Sequence, residues 1–160
     1  MPFDFETVDS GATAWVLASA ALVLLMTPGL AFFYGGMVRA KHALGMLMQN
    51  FVTIALVSLV WVLVSFSLAF GKGNGFVGDL HFAGLQHIGE ALPGYVDNFA
   101  QVIPPMAFVV FQLMFAIITP ALITGSTADR WKFGAFVTFI VLWSVLVYGP
   151  VANWVFSPVG

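Results

Sequence analysis

Apolar residues fill four long stretches of this chain, 10–38, 42–71, 98–128 and 133–160, and every Asp, Glu, Lys and Arg lies between or before them. Each stretch exceeds the roughly 20 residues that an α-helix needs to cross the hydrocarbon core of a bilayer. The stretches are apolar on every face, whereas a transmembrane β-strand alternates polar and apolar residues over about ten positions. The pattern therefore predicts an all-α membrane protein with four transmembrane helices near 12–35, 43–70, 102–127 and 133–156, forming a single transmembrane domain over 1–160. No internal repeat and no low-complexity segment interrupts it.

The punctuation agrees with these elements. Gly71, Gly73, Asn74, Gly75 and Gly78 end the second helix, and Pro104 and Pro105 suit the first turn of the third, where the missing N–H groups have no helical partner anyway. Pro28 and Pro120 fall inside spans and predict kinks or locally broken backbone.

Composition narrows the class further. Only 8% of the 160 residues are charged, against about a quarter in an ordinary soluble domain. A soluble enzyme, a nucleic-acid binder and a disordered linker are excluded, because five Lys and Arg among seventeen Phe cannot solvate such surfaces. Without Cys there is no disulfide framework, thiolate metal site or cysteine nucleophile. The segment before Ser10 carries Asp4, Glu6 and Asp9 and no basic residue, unlike the basic start of a secretory signal peptide, so the first apolar run is expected to be retained.

Charge also predicts orientation. Arg39 and Lys41 lie in the first connection and Arg130 and Lys132 in the third, leaving Lys72 alone on the other side. The positive-inside rule makes the first and third connections cytoplasmic and puts both ends of the chain outside a cell membrane. The bland role of these cations, with Asp129, is to set topology and meet lipid headgroups; the sharper one is a docking surface for a cytoplasmic regulator.

Chemistry has few candidates. No span holds an ionisable Asp, Glu, Lys or Arg, so proton relays and voltage-sensing series are excluded. His42, His81 and His87 lie at a helix entrance or in the second connection, and no hydrolase, zinc-protease, phosphate-loop or dinucleotide motif occurs. No catalytic residue, metal site or cofactor is expected. Phe111 and Phe115, four apart, share one helix face, with Gln112 beside the first; spacing alone fits ordinary packing or lipid contact as well as a pore lining. Tyr148, Asn153, Trp154 and Phe156 cluster near the end of the fourth span, where they read either as an interfacial anchor or as a vestibule whose aromatic faces hold a cation.

Read as strings, TPGLAFFYGGMVRAKHAL (27–44), WVLVSFSLAFGKGN (61–74), FQLMFAIITPALITGSTADRWKF (111–133) and LWSVLVYGPVANWVF (142–156) resemble, in order, the N-terminal portion of the Amt/MEP/Rh ammonium transporter family. The resemblance implies a partial ammonium-transporter fold, helices one to four of the first of two inverted five-helix repeats, and so a truncated product or fragment without the pore His residues. It assigns Phe111 and Phe115 to the pore phenylalanines, the second being the external gate, and Gln112 to the glutamine between them. Phe156 and Asn153 stand where the family's external cation site has Trp and His, so Phe156 should hold ammonium more weakly unless Trp154 substitutes. Ala12 replaces an Asp of the family's GDTAW run, Asp129 a Glu, and the run after Phe156 departs from the family's glycines.

Ammonium or ammonia is the implied substrate. A bare cation in mid-bilayer costs at least about 2.5–3.5 kcal/mol, so a pore that captures ammonium at its mouth and passes the neutral form answers the physical problem. The implied partners are identical subunits in a trimer, or full-length transporter subunits, and a PII-type signalling protein at the cytoplasmic face. The alternative is a non-transporting fragment or an assembly or regulatory subunit of a full-length transporter.

Overall fold

Asp9 begins the first helix by accepting the Ala12 amide, one of the donors that a helix start leaves unpaired, and helix α1 then runs over Ser10–Met37. The computed structural model describes residues 2–93 and 102–158. Helix α2 spans Ala40–Phe70, α3 Pro105–Thr127 and α4 Phe133–Phe156. All four are long and apolar enough to cross a membrane. Pro104 caps α3 and Pro105 takes its first position, as the sequence predicts, while residues 94–101, where the third neutral stretch begins, lie outside the described region.

The interior prolines do not mark the irregular turns. Helices α1 and α3 run through Pro28 and Pro120, and the widened turns occur instead at Trp61–Ser65 in α2 and Ser144–Tyr148 in α4. A proline removes one donor and leaves the rest of a helix intact when neighbouring groups compensate. A widened turn takes in an extra residue and shifts every side chain beyond it around the helix axis. Both widened turns sit where α2 meets α4, and the Ser65 hydroxyl donates to the Ser144 carbonyl at 3.2 Å.

Helix α2 is the central element, touching α1, α3 and α4. Trp61 is buried at its widened turn, edge-on to Phe66 at 5.6 Å and to Tyr148 at 6.1 Å, with its indole N–H donating to the Val109 carbonyl of α3 at 3.3 Å. Phe70 continues the cluster onto Phe108 at 4.9 Å. One level away, fully buried Asn50 donates to the Met46 carbonyl at 2.9 Å and the Thr124 hydroxyl at 3.2 Å, a polar link between α2 and α3. Helix α1 approaches α3 closely because residue 125 is glycine. A Cβ there would lie 2.7 Å from Tyr34 Cζ, and the Tyr34 hydroxyl donates to the Leu122 carbonyl at 3.3 Å.

The two short connections share one end of the bundle. His42 Nδ1 lies 3.6 Å from Asp129 Oδ1, which joins the segment of Arg39 and Lys41 to that of Arg130 and Lys132. At the opposite end, the connection after Phe70 folds back on α2: the Gly78 amide donates to the Leu68 carbonyl at 2.7 Å, and Asn74 Oδ1 accepts from the amides of Phe76 and Val77. Residue 78 must be glycine for this approach, since a Cβ would collide with the Ser67 carbonyl.

Candidate functional site

Two separate groups of aromatic residues carry the expected site. On α3, Phe111 and Phe115 meet edge to face, with ring centroids 5.1 Å apart at 67°. Both are half-buried, as is Gln112 beside them. Helical spacing alone brings the pair together, and edge-to-face contact is the geometry that the ring quadrupoles favour. The face behind them is anchored to the core: Val109 is buried under Trp61, and Met114, Ala116 and Ile117 are buried on the same helix. Thr119 donates to the Phe115 carbonyl at 2.7 Å, one turn before Pro120.

The second group ends α4. Trp154 is 47% exposed, its indole N–H donates to the Phe76 carbonyl at 2.7 Å, and its ring packs on Phe76 at 5.1 Å. Phe156 is also 47% exposed. Asn153 is different in kind. It is only 2% exposed, and its amide donates to the Ala69 carbonyl of α2 at 2.9 Å. Its Oδ1 is buried and unpaired among the described residues. Asn153 therefore ties α4 to α2 through its amide N–H. Ring contacts join Phe111 to Phe115 and Trp154 to Phe76, and none of the described contacts of Trp154 reaches the α3 pair.

The cationic end carries a cleft lined by His42, Met46, Gln49, Asp129, Arg130 and Lys132. It contains acidic and basic groups together, with Asp129 in the left-handed region at φ 62°. The second connection holds a further polar group: His81 Nε2 lies 3.2 Å from Glu90 Oε2 and His87 Nδ1 lies 3.3 Å from Glu90 Oε1. The hydrogen bond with His81 holds the Glu90 carboxyl below the usual carboxylate range. Sequence reasoning places His81 and His87 in this connection and does not single out Glu90. The spacing His81, His87, Glu90 matches no short ligand motif, and only the fold of the loop brings them together.

Four long apolar helices, a core that crosses from α2 to each neighbour, and broad exposed apolar faces define a multi-pass all-α membrane protein. The chain belongs to the Ammonium Transporter Family, whose model matches residues 14–160. It is 49% identical over 150 residues to a Bacillus subtilis ammonium transporter, covering 94% of this chain and 36% of the relative. It is 48% identical over 161 residues to a Mycobacterium tuberculosis ammonium transporter, covering 93% of this chain and 34% of the relative. The crystal structure of Saccharomyces cerevisiae Mep2 superposes with a TM-score of 0.85 at 33% identity, covering 98% of this chain and 35% of that one. The chain thus spans about a third of the length of the curated relatives it matches, and the fold is a partial form of the family's.

Proposed function

We propose that this chain builds one wall of an ammonium-conducting pore, with Phe111 and Phe115 as the apolar gate and Gln112 beside them. The observation that carries the reading is the Phe111–Phe115 pair, half-buried and edge to face on a helix whose other face is fixed in the core. Two rings so held exclude water and hydrated ions from a narrow path while leaving an apolar route for a neutral molecule. Family membership supplies the substrate class, since curated relatives matched along nearly the whole chain are named ammonium transporters.

Phe156 is the recruiting ring at the mouth, and Trp154 stands beside it as a second aromatic face. An aromatic face is worth about 0.5–1 kcal/mol to an exposed cation, so recruitment here is weak and gains from desolvation. Both lie at the end of the bundle opposite the four clustered cations, which fits capture outside a cell membrane with the cationic end in the cytoplasm. The pore's remaining wall comes from other helices or another subunit, a homotrimer being the assembly that fits the family. The mixed-charge cleft around His42, Asp129 and Arg130 is the surface a PII-type signalling protein would meet.

Labelled methylammonium uptake tests the proposal in an ammonium-transport-deficient cell. Residues 1–160 joined to the remainder of the Bacillus subtilis relative should restore uptake and growth on low ammonium, and residues 1–160 alone should not. Uptake by the joined protein that survives Phe111→Ala and Phe115→Ala together unchanged would remove the gate. A chain that reaches the membrane alone and alters uptake by a co-expressed full-length transporter, without transporting itself, would favour the assembly or regulatory role.

A further inference from the structure

The connection after α2 is pinned from both sides. At its start, the Ser67 hydroxyl donates to the Asp79 carbonyl at 2.8 Å and accepts the Phe82 amide at 2.9 Å, and Phe82 is buried against Phe66. His81 is therefore held between two anchored residues. At its far end, the Phe3 amide donates to the Gly89 carbonyl at 3.0 Å, Pro2 bridges to Glu90, and the Glu90 amide donates to the His87 carbonyl at 2.9 Å. Between the anchors Gly84, Leu85 and His87 take left-handed backbone conformations, with φ of 67°, 56° and 57°. The chain doubles back as a result, and the His87 ring stacks on His81 at 4.5 Å and 15°.

We infer that His81, His87 and Glu90 form a binding site for a divalent transition metal of the zinc class, with three protein ligands and one open position. Their donor atoms all lie within 4.8 Å of one another. Zinc bonds to nitrogen and oxygen of about 2.0–2.2 Å in a tetrahedron set ligand atoms roughly 3.3–3.6 Å apart. Glu90 Oε2 lies 3.2 Å from His81 Nε2, and the other oxygen, Oε1, lies 3.3 Å from His87 Nδ1. Two adjustments are needed: the carboxylate turns to present one oxygen to the ion, and one ring turns out of the stack about its Cβ–Cγ bond so that a single ion lies in the plane of both rings. The His side chains, 41% and 53% exposed, have the room to turn. Two imidazoles and one carboxylate, without sulfur, suit zinc, copper or nickel and are too rich in nitrogen for magnesium or calcium. The bound ion would clamp Pro2 and Phe3, through Glu90, to the loop anchored on Ser67.

Nothing in the proposed pore function requires this site, and the two are tested separately. The full chain in detergent micelles is treated with diethyl pyrocarbonate, with and without Zn²⁺, and modification of each histidine is read by peptide mass spectrometry. Zinc should protect His81 and His87 and leave His42, at the other end of the bundle, as reactive as before. Calorimetric titration with Zn²⁺ should give one ion per chain. Glu90→Gln should weaken it by at least about tenfold and His81→Ala with His87→Ala should abolish it, while His42→Ala leaves it unchanged. Equal labelling of all three histidines with and without zinc, or protection of His42 to the same degree, would overturn the site whatever the variants do.

Discussion

Ser65 donates its hydroxyl to the Ser144 carbonyl across 3.2 Å, so the widened turn of α2 is bonded directly to the widened turn of α4. Ser65 and Ser144 are both buried. Removing this hydroxyl leaves the Ser144 carbonyl without that donor at a site closed to water. Ser65→Ala is expected to lower stability by about 0.6 kcal/mol, and by no more than about 1.7 kcal/mol, the range of interhelical hydrogen bonds inside membranes. Reversible unfolding in mixed micelles measures it. A stability equal to wild type would mean that packing at Trp61 and Tyr148 holds the two turns together unaided.

Gly125 lets α1 rest on α3. A methyl group there falls 2.7 Å from the Tyr34 ring, so Gly125→Ala must push the helices apart or turn the ring, a change that typically costs about 1–3 kcal/mol. Gly134 on α4 has nothing within 4 Å of an added Cβ. Gly134→Ala should therefore be neutral or stabilise by up to about 1 kcal/mol through helix propensity. The same unfolding measurement on both variants separates a packing effect from a general effect of glycine replacement.

Topology is checked with single cysteines, since the chain has none of its own. Cysteines at Ser10 and Ser157 should react with an impermeant thiol reagent in intact cells. A cysteine at Ser126, exposed near the Arg130 end, should react only after the membrane is opened. Protection of Ser10 or Ser157 would reverse the orientation that the charges imply.

If Phe156 recruits the cation as proposed, Phe156→Trp in the joined full-length protein should strengthen apparent affinity for methylammonium by up to about tenfold, equivalent to 1.4 kcal/mol of added cation–π attraction. Trp154→Ala should loosen the contact with Phe76 and weaken affinity less than twofold if Phe156 is the recruiting ring. A large loss on Trp154→Ala with no gain from Phe156→Trp would transfer the recruiting role to Trp154.

Asn50 and Thr124 offer a test of the α2–α3 link. They are 74 positions apart in sequence and 3.2 Å apart in space. Asn50→Ala, Thr124→Val and the double variant should show a coupling of about 0.5 kcal/mol or more, because each removes the same bond. Strict additivity would show that Met46, whose carbonyl also accepts from Asn50, carries the interaction.

Much of the fold is legible along the chain because its determinants are local. Charge and hydropathy place α1, α2 and α4 within a few residues of their ends, and Pro104 and Pro105 mark the start of α3. Helical spacing also puts Phe115 above Phe111. At Pro28 and Pro120 the helices continue without a break, since a missing N–H says nothing about whether neighbouring groups compensate for it. Asn153 shows a different limit of local pattern. The partner of its amide, the Ala69 carbonyl, is 84 positions away and invisible to any local pattern.

The sequence by itself thus determined the class of the protein, its four helices, the asymmetry of its charges and the family it resembles, because each depends on composition or on neighbours within a turn or two. Tertiary structure decided the rest. Where α2 and α4 widen, how close α1 comes to α3, why Trp154 leans on Phe76, and how His81, His87 and Glu90 gather in one loop all depend on contacts between segments distant along the chain. Such contacts form only when the apolar faces pack, and packing obeys shape and the satisfaction of buried polar groups, which no single stretch of sequence contains.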